Sequence, residues 1–299
     1  MLWKAGRAWL LVLAVTILLV PGCSIDNHLQ KAVKVEDPFA SENESEFVGL
    51  VINYLELPHG EATLVRLPNG KNMLIDTGSA EDWPRLFAVL TERKITRLDY
   101  VVLTNDLPEH AGGFAFLVER VLVESVILPR PIESSIRSAA PLKSAKKTVP
   151  VTDGEAIRLD ENVTLQVLHP SEPLFLSPQD NSLVFQLRHD KLPFLFASAM
   201  NEKAEERLLE KHGGQLKAAV LKVAAQGSNQ ASSQPFLGKV DPQVAVILTG
   251  KSREKLKDGQ EEVLERLGES WAETYITSQH GTITILSNGK DYRVLKSKK

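Results

Sequence analysis

Leu103-Thr104-Asn105-Asp106-Leu107-Pro108-Glu109-His110-Ala111-Gly112-Gly113-Phe114 is the stretch whose reading decides the fold. It follows the apolar run Tyr100-Val101-Val102, so a buried strand ends in polar side chains and then in a Gly-Gly pair. Such an ending places side chains at the carboxyl edge of a sheet, where α/β proteins usually keep their chemistry. Glu109 and His110, adjacent within it, are candidates to hold a metal ion or to act as an acid/base pair. Thr104, Gly112 and Gly113 read as parts of a structural loop.

Working outward, residues 48–57, 62–67 and 72–75 read as strands, the last two joined by the turn Pro68-Asn69-Gly70. That hairpin ends at Asp76-Thr77-Gly78, where Asp76 is expected to orient the neighbouring loop through hydrogen bonds. Residues 81–93 follow as a helix with Trp83, Leu86, Phe87 and Leu90 on one face. Further strands are expected over 99–103, 121–128, 162–168, 181–187, 192–197, 218–223 and 244–248, with a terminal hairpin around Asn288-Gly289. Helices are expected over 115–120, 202–212, 232–237 and 261–267, the second stopped by Gly213-Gly214. Strands in two groups with helices between them imply two sheets faced by helices on the outside.

The 299 residues are 43% hydrophobic and 24% charged, which excludes disorder for the bulk of the chain. A net charge of −3 removes any global electrostatic reason to bind nucleic acid. The basic cluster that does exist, Arg137 with Lys143, Lys146 and Lys147, reads as a solvated face, or as a weak, salt-sensitive nucleic-acid contact. Serines 79, 198, 228 and 232 lack a nucleophile-elbow context, and the isolated glycine pairs do not make a phosphate loop.

Lys4 and Arg7 precede an apolar run over residues 8–20, closed by Pro21-Gly22-Cys23. The run is shorter than the ~20 residues of a spanning helix, and it reads as a signal peptide (residues 1–23) with a lipobox-like end. Cys23 is the single cysteine, placed for acylation rather than for a disulfide. Residues 24–46 read as a polar tether and 47–299 as one domain, held on the extracytoplasmic side of the cell envelope by a lipid anchor in the membrane.

Several segments taken together resemble the metallo-β-lactamase fold, and within it the extracytoplasmic domain of ComEC-type DNA-uptake channels and its free-standing relatives. They are residues 64–78 with their Asp76-Thr77-Gly78 end, residues 99–104, His169-Pro170, Asn181-Ser182-Leu183-Val184, Leu221-Lys222-Val223-Ala224 with Gly227-Ser228, and residues 242–247. The resemblance implies a four-layer αββα sandwich of the α/β (α+β) class. It also implies a site at which imidazoles and carboxylates hold Zn or Mn and activate water.

That ligand set is eroded here. Asn105 and Leu107 stand at the first two histidines, Glu109 at the aspartate, and His110 is kept. Ser198-Ala199 stands at the Gly-Asp, Ala225-Gln226 at the His-His, Lys257 or Asp258 at the final histidine, and Pro58-His59-Gly60-Glu61 at the Gly-Gln-Gly-Asp. The resemblance therefore implies a pseudoenzyme that acts as a binding or accessory protein without a cofactor. The alternative is a metal-dependent hydrolase of phosphodiesters or related esters, with a rebuilt single-metal site of Glu109 and His110 plus His59 or His169. A further alternative, a DNA-binding accessory in competence, rests on the resemblance alone.

Overall fold

The computed structural model describes residues 44, 46–251 and 253–298, which fall in one compact unit, Glu42–Lys299. The signal segment, Cys23 and nearly all of the tether lie outside the described residues.

Alternating apolar residues build two mixed sheets. The first contains β1 (Leu50–Tyr54), β2 (Thr63–Arg66), β3 (Asn72–Ile75), β4 (Arg97–Val102), β5 (Leu122–Pro129), β6 (Lys147–Val151), β14 (Ile283–Ser287) and β15 (Tyr292–Lys296), in the order β15-β14-β1-β2-β3-β4-β5-β6. The second contains β7 (Ala156–Arg158), β8 (Val163–His169), β9 (Val184–His189), β10 (Leu192–Phe196), β11 (Val220–Lys222), β12 (Val244–Ile247) and β13 (Glu273–Ile276), in the order β13-β12-β11-β10-β9-β8-β7.

The inner faces meet in a core that includes Ile52, Val65 and Met73 from one sheet and Leu165, Phe185 and Val246 from the other, all buried. Phe185 stacks on Phe196 with ring centroids 4.9 Å apart. The outer faces are covered by helices. On the first sheet lie α1 (Trp83–Glu92), α2 (Pro108–Ala111), α3 (Phe114–Arg120) and α4 (Glu133–Ala139), which share a buried apolar layer with β4 and β5. On the second lie α5 (Glu202–His212), α6 (Gln234–Val240) and α7 (Arg253–Glu269). A short α8 (Thr277–His280) precedes β14. The layers are helix, sheet, sheet, helix: an αββα sandwich.

What positions the site is strand direction. β3 to β6 run parallel in the first sheet and β10 to β13 run parallel in the second. The carboxyl ends of β3, β4, β10 and β11 then meet at one edge of the sandwich, carrying Asp76, Thr104, Ser198 and Lys222.

Some element bounds differ from the sequence expectation for local reasons. The segment expected to begin a strand at 181 opens instead as a tight turn, because the Asn181 amide donates to the Phe175 and Ser177 carbonyls and accepts from the Phe175 N–H. The helix expected over 261–267 is the last part of the 17-residue α7, which runs through Gly259. Strands β6, β7 and β13 lie at or beside sheet edges, where half-exposed sequence carries little apolar period.

Candidate metal centre

Asp76 follows β3 directly and takes a left-handed backbone (φ 57°), which turns its carboxylate into the space between the sheets. Oδ1 accepts the Thr104 N–H (2.9 Å) and Oδ2 accepts the Thr104 hydroxyl (2.8 Å). The same Oδ2 lies 2.8 Å from Nδ1 of His110, contributed by α2. Thr104 in turn accepts the Ser198 hydroxyl (2.7 Å), and the Asn105 amide lies 3.1 Å from the Thr104 hydroxyl and 3.2 Å from that of Ser182. A closed set of hydrogen bonds thus ends on Asp76.

Glu61 completes the group. Its N–H donates to the Glu109 carbonyl (2.9 Å), its Oε1 accepts the Gln226 N–H (3.1 Å), and its Oε2 is 3.8 Å from His110 Nδ1. Glu61, Asp76 and His110 are buried, and their donor atoms lie within 4.8 Å of one another, the geometry of a candidate metal site. A fourth residue sits among them: the ammonium of Lys222, from β11, is paired with Glu61 Oε2 and donates to the Ser198 carbonyl (3.1 Å). Lys222 is itself only 4% exposed.

Electrostatics follow from this arrangement. Burial by itself pulls the His110 pKa down, but Asp76 and Glu61, with the Asp76 hydrogen bond, outweigh it against the opposing Lys222, so the net shift is upward. Two acidic side chains, Asp76 and Glu61, therefore face the His110 imidazole and the Lys222 side chain within one buried group.

The resemblance implies a divalent ion at this place, and here a lysine side chain already stands among the three converging donors. Both Asp76 oxygens and both Glu61 oxygens already accept protein donors. The cavity between them measures about 10 Å³, room for one water at most. A metal ion would have to expel the Lys222 ammonium and compete with the His110 proton.

Of the ligands expected from the sequence, His110 alone belongs to this cluster, and Asp76 joins it from the expected structural loop. His59 is exposed and faces Glu81 at 3.5 Å. His169 is buried away from the cluster, where Nε2 meets the Asp180 carbonyl (2.7 Å), and burial lowers its pKa to about 4. Glu109 acts through its backbone carbonyl, as the acceptor for Glu61. Gly112 and Gly113 pack backbone on backbone: an added Cβ would stand 2.4 Å from the Pro108 carbonyl oxygen and 2.3 Å from that of Thr77. Ala225 and Gln226, at the position of the missing His-His, keep left-handed backbones (φ 46° and 55°), and Gln226 reaches the His59 carbonyl (3.2 Å).

The sequence profile of the metallo-beta-lactamase superfamily matches residues 57–250. The chain belongs to that superfamily. ComE operon protein 3 of Bacillus subtilis (strain 168) is 24% identical over 253 residues, which are 78% of this chain and 32% of that protein. Competence protein ComA of Neisseria gonorrhoeae is 29% identical over 193 residues, 64% of this chain and 26% of that protein. The chain thus spans about a quarter to a third of the length of these relatives. Among solved structures, the metallo-beta-lactamase fold protein YhfI from Bacillus subtilis superposes with a TM-score of 0.52 at 12% identity, covering 76% of this chain and 96% of its own. CmlA, a diiron beta-hydroxylase from Streptomyces venezuelae, gives 0.52 at 11%, covering 83% and 54%. At these identities the two structures speak to the fold alone.

The sequence missed Glu61 and Lys222 as members of the site. The signal was present in part: Lys222 ends the apolar run Ala218 to Leu221, and Glu61 ends the Pro58-His59-Gly60-Glu61 stretch that follows the first strand.

Proposed function

We propose that this superfamily member is a lipid-anchored protein of the cell envelope whose domain works by binding, with Lys222 and His110 supplying the positive charge that a metal supplies in hydrolytic relatives. The observation that carries this is the Lys222 ammonium paired to Glu61 inside the only cluster of metal-type donors among the described residues. Attachment is assigned to Cys23, which closes the apolar run over residues 8–20; among the described residues no helix is long and apolar enough to cross a membrane. The names of the two curated relatives belong to competence, and an accessory role there is the setting in which we place the binding function.

A second reading stays in view because Glu61, Asp76 and His110 do converge: a single-metal hydrolase in which Lys222 swings away from Glu61. Thermal unfolding of the full chain with added Zn²⁺ or Mn²⁺ separates the two, since an ion that binds only the folded state raises the midpoint. The proposal expects no rise. A concentration-dependent rise that disappears in Asp76→Asn supports the hydrolase instead.

Among the described residues, a nucleic-acid contact through Lys143, Lys146 and Lys147 would have to displace only the exposed pair of Lys146 with Glu124 (2.9 Å), a weak tie.

A further inference from the structure

The end of the sandwich opposite the candidate metal centre carries an unusual side chain. Trp271 is 93% exposed, on a left-handed residue (φ 60°) in the turn between α7 and β13. It borders an open depression of about 540 Å³ at the amino ends of the parallel strands β10 to β13, lined also by Arg188, Lys191, Lys217 and Gln243. Arg188, Lys191 and Lys217 are exposed. Lys217 pairs with Asp241 (2.8 Å) in open solvent, where such a contact contributes little.

The chain enters the domain at this same end. Gly49 packs on the Ser287 carbonyl, Ser287 contacts His189 (2.9 Å), and the Lys191 N–H donates to the Gly289 carbonyl (3.2 Å). Lys191 and the exposed Lys290 lie in the two turns thus joined. Upstream of this point are about 20 residues of polar chain, then Cys23 and the apolar run.

We propose that this face rests on the lipid surface, with the Trp271 indole seated at headgroup depth and the neighbouring lysines on lipid phosphates. This rests on the lipid-anchored reading given above. Indole rings favour the membrane–water boundary, and lysines there are drawn to anionic headgroups. Asp190, Asp241 and Asp291 offset much of the positive charge, so adhesion depends on the indole and on tethering. A tether of this length holds its load at high effective concentration, at which a weak surface suffices. The orientation that results turns the edge carrying Asp76 and Lys222 away from the bilayer, open to partners.

The test uses the lipid-modified protein that begins at Cys23, reconstituted in phosphatidylethanolamine vesicles with a minor fraction of phosphatidylglycerol, and compares it with Trp271→Phe. The difference between the two emission spectra isolates Trp271 from Trp83, the other tryptophan after Cys23. The expected result is a blue-shifted difference spectrum that loses most of its intensity when the lipids carry brominated acyl chains, and that weakens in Lys191→Glu/Lys290→Glu. A chain that floats with the vesicles while Trp271 stays open to aqueous iodide overturns the inference and leaves the anchor standing. A chain that does not float with vesicles overturns both. Quenching of the same emission by a single-stranded oligonucleotide without lipid gives the face to nucleic acid and overturns it as well.

Discussion

At the scale of single residues, Lys222 is the unusual choice. A buried ammonium is tolerated where a carboxylate faces it, and removing one member of such a pair leaves the other charged and unsolvated. Lys222→Met is therefore expected to destabilise the fold by about 3–5 kcal/mol, and Glu61→Gln placed on top of it to restore a large part of that loss. Chemical unfolding of the parent, the two single variants and the double variant checks this; strictly additive losses would mean that the pair is not coupled.

His169 makes a pH prediction. Its folded pKa is lowered to about 4 by burial, against an ordinary 6.5, so the folded state favours the neutral ring. The stability that this ring contributes is fully present above pH 6.5 and is lost as pH falls toward 4, about 3 kcal/mol in all. Denaturant midpoints measured across that window should fall with acid in the parent chain and fall less in His169→Phe.

At the scale of elements, the loops at the site edge keep a costly backbone. Ser198, Ala225 and Gln226 all have φ near +50°, a conformation that disfavours L side chains by roughly 1–2 kcal/mol each. Ala225→Gly is accordingly expected to stabilise by up to about 1 kcal/mol, read as a higher denaturant midpoint at unchanged slope. The strain sits at the edge that carries Asp76 and Lys222, in the loops that hold the cluster together.

These loops also show what was legible in the sequence and what was not. The Asp76-Thr77-Gly78 ending, the strand into Thr104 and the helix over 202–212 announce themselves through local period and turn chemistry, and the structure has each of them. The partnership of Glu61 with Lys222 joins residues 161 positions apart, and local period says nothing about so distant a contact. His59, Glu109 and His169 share a chemical type with metal ligands, but side-chain direction, which sequence pattern leaves open, sends them to other partners.

At the scale of the whole molecule, the sandwich separates two ends. One end gathers the carboxyl ends of parallel strands and holds the buried cluster; the other receives the chain and presents Trp271. The core between the sheets keeps the two ends apart, and the Phe185–Phe196 stack lies inside it. Phe185→Ala is expected to cost about 3–5 kcal/mol in global stability, with loss of near-ultraviolet dichroism in step with unfolding rather than before it.

The central claim is that protein cations occupy the place of a metal. Elemental analysis of the full chain, purified without chelator from cells supplied with zinc and manganese, tests it most directly. The account predicts substoichiometric metal that is the same in the parent and in His110→Ala. Stoichiometric Zn or Mn in the parent, lost in His110→Ala, would contradict it.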